Sequence, residues 1–277
     1  EIHERLVGSE MCIRDSNLDV LFVIDNTISM VAEDYDGNKT RLEGVKNDCK
    51  YIIEHLRGAK FSVITFSNSS KIDMPFTNDT DAVNNIIDSL DVMISMYAKG
   101  SSLNAPIKDM GYDLKNSAKD ISRKRIVFYI SDGEITNDEK LKSYSDLKKN
   151  VDGGAVLGYG TNKGGKMKVK KYSFSESKEY LEDNTQNTYP HPKAISKIDE
   201  ENLKQIAKDL GIEYVNMQKT SNVDKILKKI SRDISRDTQT FDVNTCNDTY
   251  YIFAIMLIMV LFFELINYKR RIAIWKR

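Results

Sequence analysis

Two periodicities run through this chain. Asp19-Val20-Leu21-Phe22-Val23-Ile24-Asp25 is a continuous apolar run between acids, the pattern of a strand buried on both faces of a parallel sheet. Ile126–Ile130 repeats it, and Lys60–Phe66 is a β-branched strand pattern. Lys71–Phe76 carries Pro75, which predicts an antiparallel edge strand. Helical spacing joins Leu42, Val45, Cys49, Ile52 and Leu56, and again Val83, Ile86, Ile87 and Leu90. Further helices are predicted from Leu103 to Leu114 with Pro106 in the first turn, from Asn137-Asp138-Glu139 onward, and from Asp199 to Gly211. Gly153–Gly160 and Ile212–Val215 read as strands, and Val223, Ile226, Leu227, Ile230 and Ile234 as a last amphipathic stripe. Strands alternating with helices predict an α/β fold: a doubly wound, mostly parallel sheet with right-handed crossovers and one antiparallel edge strand.

Local signals refine this. Thr40 with Glu43 three residues on forms a capping box, and Gly58 ends that helix. Asp34, Asp36 and Asn38 have the spacing that opens a calcium loop, but Val45 stands where its bidentate Glu is required, so the segment reads as a solvated loop. Gly153–Gly160 lacks the Lys-Ser/Thr pair of a phosphate loop, which favours a close-packed strand or turn. Residues 161–197 are polar and Lys-rich. Lys166–Lys170 alternates, so this stretch is expected to be a surface insertion, part of it a hairpin, able to meet a partner.

Both apolar strands end in acids, at the sheet edge where α/β folds bind ligands. The first continues as Asp25-Asn26-Thr27-Ile28-Ser29. One carboxylate and two hydroxyls spaced two apart are hard oxygen donors, suited to Mg2+ with several waters retained. Tyr97-Ala98-Lys99-Gly100-Ser101-Ser102-Leu103-Asn104 and Ser131-Asp132-Gly133-Glu134 add to the set. In order and placement, Asp25, Thr27, Ser29, Ser101 and Asp132 resemble the metal-ion-dependent adhesion site (MIDAS) of the von Willebrand factor A (VWA) domain. Ser101 stands where that family usually has Thr.

The resemblance covers about Leu18 to Arg236 and implies a VWA/Rossmann-like fold. It also implies a Mg2+ site, with Mn2+ and Ca2+ as alternatives. Asp25, Ser29 and Ser101 would hold the ion directly or through water, with Thr27 and Asp132 behind them. A partner protein's Asp or Glu would complete the coordination, making this a binding module and not an enzyme. Val156–Gly165 and Ile198–Ala207 are similar to bacterial membrane-anchored VWA proteins of the aerotolerance-operon (Bat) type.

Two other readings share the same residues. In a phosphoryl-transfer enzyme of the haloacid dehalogenase class, Asp25 would be the nucleophile; Thr27 occupies the place of the second acid most such enzymes need. In a structural scaffold the metal site would be intact but idle.

Forty-one basic and 41 acidic residues cancel, so no electrostatic footprint for nucleic acid is present. Of the three cysteines, Cys49 has core spacing, and Cys12 and Cys246 lie near the ends; no disulfide framework is implied. Residues 1–16 read as a translated sequencing adapter, so the natural N-terminus, with any signal peptide or membrane helix, is expected upstream of this sequence. After a 237–249 linker without Lys or Arg, residues 250–268 are apolar except for Glu264, Asn267 and flanking tyrosines, the length of a membrane span. The basic tail 269–277 then predicts a cytoplasmic C-terminus and an extracytoplasmic 17–236 VWA domain in a single-pass cell-membrane protein.

Overall fold

A computed structural model describes residues 17–92, 100–137, 139–170, 177–183, 189–218 and 221–240, together with 257 and 259. A six-stranded sheet forms the centre. In sheet order its strands are β3 (Ser70–Thr77), β2 (Lys60–Phe66), β1 (Leu18–Asp25), β4 (Lys124–Ser131), β5 (Gly153–Gly158) and β10 (Glu213–Asn216). All pairings are parallel except β2 with β3, so the Pro75-bearing strand is the antiparallel edge its sequence predicts. β1 is buried along its whole length. Its odd positions Leu21 and Val23 pack in one cluster with Leu103, Met110, Leu114, Leu203 and Ile206. On the other face Phe22 stacks between Phe61 and Phe128. This two-sided burial is what the unbroken apolar run encodes.

Helix α1 (Arg41–His55) starts at Thr40 with both halves of the capping box: Glu43 N–H donates to Thr40 Oγ1 (3.2 Å) and Thr40 N–H to Glu43 Oε2 (2.7 Å). Its buried stripe includes Val45, Cys49 and Ile52, so Cys49 is a core thiol. α2 (Thr80–Ser89) is capped by Asp79, and α4 (Glu200–Leu210) runs from Asp199 to a left-handed Gly211 at φ 75°. α3 (Ile107–Ser117) begins four residues later than the sequence suggests, with Pro106 just before it.

One expectation fails and another holds only in part. No α-helix follows Asn137: residues 139–144 run without regular structure into a short 3-10 helix at Ser145–Asn150. Asn104 explains why. Its side-chain amide donates to Lys140 O (2.9 Å) and its carbonyl accepts from Lys142 N–H (2.7 Å), so it competes for the groups a helix would need. Glu139 accepts from Ser102 Oγ (2.6 Å) and does not serve a helix start. The solvated 33–40 loop holds in part: Asp36 to Lys39 are exposed, whereas Asp34 is withdrawn into the fold, its side chain only 6% exposed.

The polar 161–197 region forms two small antiparallel pairs. β6 (Gly165–Lys166) pairs with β9 (Ile195–Ser196), and β7 (Lys168–Lys170) with β8 (Lys178–Tyr180). The hairpin is present, but one side of it is not solvated: Met167 and Val169 are buried against Val31 and Ala32. α5 (Ser221–Thr240) carries the last stripe, with Val223, Ile226, Leu227 and Ile230 buried. Among the described residues no helix is long and apolar enough to cross a membrane; the expected 250–268 span lies outside them, except for Leu257 and Met259.

Candidate functional site

The chain turns outward in both directions from the centre of the sheet: β1 leads to β2 on one side, and β4 to β5 on the other. Ligand clefts in open α/β sheets lie at such a switch point, beyond the strands' carboxyl ends. A cleft of about 200 Å³ opens there, lined by Thr27, Ser29, Ser67, Ser101, Glu134 and Thr136 among its polar residues and by Ile28, Met167 and Leu181.

Asp25 ends β1 and is fully buried. Its Oδ1 accepts from Thr27 N–H (3.0 Å) and Thr27 Oγ1 (2.7 Å), and its Oδ2 from Ser131 Oγ (2.6 Å). These donors fix the proton directions farther out. With Asp25 ionised, Thr27's only hydroxyl proton goes to that carboxylate, so in the 2.8 Å Thr27–Ser29 contact Ser29 donates. Ser101 likewise spends its proton on Glu134 O, at 2.6 Å. Both serine oxygens line the cleft and offer it lone pairs only. The Ser101 loop is held by Ser102 N–H to Ser67 O (2.9 Å) at the end of β2 and by Ser101 N–H to Thr136 Oγ1 (2.8 Å).

Asp132, just past β4, is also fully buried, and does not line the cleft. Its partner is Arg41, at 2.7 Å from Nη1 to Oδ2. Arg41 is fully buried too. Its fork takes both oxygens of Asp34 (2.7 and 2.9 Å), and it also donates to Ser29 O (3.3 Å), Ser196 Oγ (2.9 Å) and Ser196 O (3.0 Å). Asp34 in turn accepts from the backbone and hydroxyl of Thr161, at 2.9 and 3.0 Å. Gly160 leaves space for the guanidinium: a Cβ there would lie 2.8 Å from Arg41 Cζ.

Charge follows this geometry. Burial, then the Asp132 charge, pushes Asp25 up to about 7 against its three hydrogen bonds. Burial, then Asp132, also raises Glu134. For Asp34 burial acts upward, but Arg41 and Thr161 outweigh it and its carboxyl lies below the usual range. Burial works against the Arg41 cation, yet Asp34 and Asp132 more than offset it.

Of the five residues singled out from sequence, the structure joins Asp25, Thr27 and Ser29 in one hydrogen-bonded chain. It sets Ser101 on the same cleft and Asp132 behind it. Arg41 and Thr136 were missed. Arg41 had a signal: a cation in the first turn of a helix opposes the macrodipole, which calls for a tertiary partner. Thr136 had none. Among the described residues no three His, Cys, Asp or Glu side chains form a metal cage; the site is made of hydroxyls over buried acids.

Residues 20–134, which include all of these five positions, match the von Willebrand factor type A domain. The chain carries a VWA domain. Among solved structures the chain is similar to BatB from Bacteroides thetaiotaomicron, with 20% identity, 79% of this chain and 99% of that one covered, and a TM-score of 0.60. It is similar also to an aerotolerance-related membrane protein from Bacteroides fragilis, with 18% identity, 78% and 99% covered, and a TM-score of 0.61. At these identities the likeness to both is one of fold. No curated protein sequence matches the chain.

Proposed function

We propose that this VWA domain binds a protein partner through a divalent metal ion, Mg2+ first and Mn2+ or Ca2+ as alternatives, with an Asp or Glu of the partner completing the coordination. The observation that carries this reading is the direction of the hydrogen bonds. Ser29 and Ser101 turn only lone pairs to the cleft, and two buried carboxylates supply negative field beneath them. Such a set attracts a hard cation and offers nothing to an anion. Ser29 and Ser101 would hold the ion, Asp25 directly or through water, with Thr27 and Asp132 orienting the set. When bound, the ion supplies positive charge that hydroxyl ligands do not neutralise, and that charge draws a carboxylate.

A binding role fits Thr27 better than phosphoryl transfer does. Its hydroxyl, two residues after Asp25, is committed to Asp25 and is no acid. Calorimetric titration of the chain with Mg2+ and Mn2+ should give saturable binding that Asp25→Ala abolishes. A flat titration of the unaltered chain would sink the reading.

Membrane anchoring is part of the same proposal. It rests on the apolar 250–268 segment and its basic tail, and a protein of similar fold is described as a membrane protein. Thiol labelling of intact cells should reach Cys246 from outside; labelling only after permeabilisation would reverse the topology.

A further inference from the structure

The cleft takes the carboxyl edge of the sheet, where Asp25, Asp34, Asp132 and Glu134 gather around Arg41. The opposite edge, where the parallel strands begin, is basic. The segments leading into β2, β4 and β5 expose Arg57, Lys60, Lys119, Lys148 and Lys149. Lys148 also reaches the start of β10: a Cβ on Gly211 would lie 2.8 Å from its Cε. Most acids of this edge already hold a cation. Asp19 pairs with Arg123 (2.5 Å), Asp152 with Arg125 (2.7 Å) and Glu213 with Lys229 (2.5 Å), which leaves Asp120. One turn back, in the preceding helices, Glu54, Asp146 and Asp209 stand against Lys115 and Lys208. The edge is therefore net positive, and charge is segregated along the strand axis.

The loop from α3 to β4 raises Ile121 on this edge, 94% exposed. The loop is held from both sides. Ser122 donates its N–H (3.1 Å) and hydroxyl (2.6 Å) to Asp120 Oδ1, and the Arg123 side chain is fixed by Asp19 and by Leu18 O (2.6 Å). A lone exposed isoleucine is ordinary on a protein surface. This one is fixed among cations, on the edge from which the chain departs. The direction of α5 sets that departure. Asn222 Nδ2 donates to Asn216 O at the carboxyl end of β10 (2.9 Å), and Lys229 pairs with Glu213 at its start, so Ser221–Ser231 runs back toward the amino edge. Residues 232–249 then lead into the apolar 250–268 segment.

We infer that the amino edge of the sheet docks on anionic phospholipid, at the surface of the membrane that the 250–268 segment anchors. The five exposed cations would meet lipid phosphates, and Ile121 would enter the boundary between headgroups and acyl chains. The cleft, on the opposite edge, then faces away from the lipid and toward a partner. The inference rests on the membrane-anchored reading above and adds which surface meets lipid and which way the cleft points.

The test uses the full chain, with Cys12→Ser and Cys246→Ser, in vesicles of phosphatidylcholine alone or with phosphatidylglycerol. A polarity-sensitive dye is placed at Ile121→Cys or, as the control on the cleft rim, at Asn68→Cys; both positions are exposed, and Cys49 is buried and takes no label. Spin-labelled lipid should quench the dye at 121 several-fold more than at 68 in the anionic vesicles. That difference should fall to near the phosphatidylcholine level in about 0.5 M salt. Arg57→Gln/Lys60→Gln/Lys119→Gln should produce the same fall at low salt, since all three side chains are exposed. Equal quenching at the two sites, or quenching at 121 indifferent to phosphatidylglycerol and to the charge changes, overturns the inference. Flotation of the vesicles in alkaline carbonate separates the failures. A chain that floats without lipid contact at 121 refutes only this inference, whereas a chain that does not float refutes the membrane-anchored reading with it.

Discussion

Replacing Arg41 by Met tests the electrostatic frame of the site. The guanidinium makes six hydrogen bonds, three of them to the carboxylates of Asp34 and Asp132. All its interior partners come from elements distant in sequence, except Asp34 and Ser29. Met fills similar space but leaves two carboxylates withdrawn from water without a counter-charge. Breaking a buried pair in this way costs about 3–5 kcal/mol. For a domain of roughly 150–250 residues that lowers Tm by about 6–20 °C.

Urea unfolding followed by circular dichroism, with chelator present, measures the loss. Arg41→Lys guards against outright unfolding: it keeps the charge without the fork and should lose about 1–3 kcal/mol. The pH dependence carries a sign. Arg41 lowers Asp34, so this contribution is present above the ordinary carboxylate range and fades as pH falls below about 4. The Met variant's deficit should therefore be full at neutral pH and shrink in acid. A loss under about 1 kcal/mol at neutral pH, or one that grows in acid, would refute the claim that Arg41 balances buried charge.

Further outcomes follow from the same geometry. Asp25 is raised to about 7, so in metal-free protein its burial costs stability increasingly as pH rises from about 4 through 7. Asp25→Asn should remove that slope in chelator, be at least as stable as the parent at neutral pH, and bind no Mg2+; an unchanged slope in the urea midpoint would contradict the assignment. Thr40→Ala should cost about 1 kcal/mol by removing the α1 capping box, visible as a shift in urea midpoint at constant m-value. Gly154 holds φ 129° with Val127 O against the position of a Cβ, so Gly154→Ala should lose at least about 3 kcal/mol or fail to fold, read from soluble yield and thermal melting.

The sequence alone determined the layered fold and most of the site, because both are written in local patterns. β1 and β4 are legible as unbroken apolar runs since each is covered on two faces, and the acid that ends each run marks the sheet's carboxyl edge. Pro75 identified the edge strand, since proline cannot donate to a second neighbour. Tertiary structure decided what depends on partners far along the chain. Asn104 pairs with the backbone of residues 140 and 142 and keeps 139–144 from becoming a helix, despite acids placed where a helix would start. Asp34 looked like loop polarity until Arg41 and Thr161 enclosed it. Met167 and Val169 looked like half of an exposed hairpin until Val31 and Ala32 covered them. Hydrophobic periodicity reports which face of an element is buried. It is silent about which charge meets which across more than a hundred residues, and that pairing governs the field and the walls of this cleft.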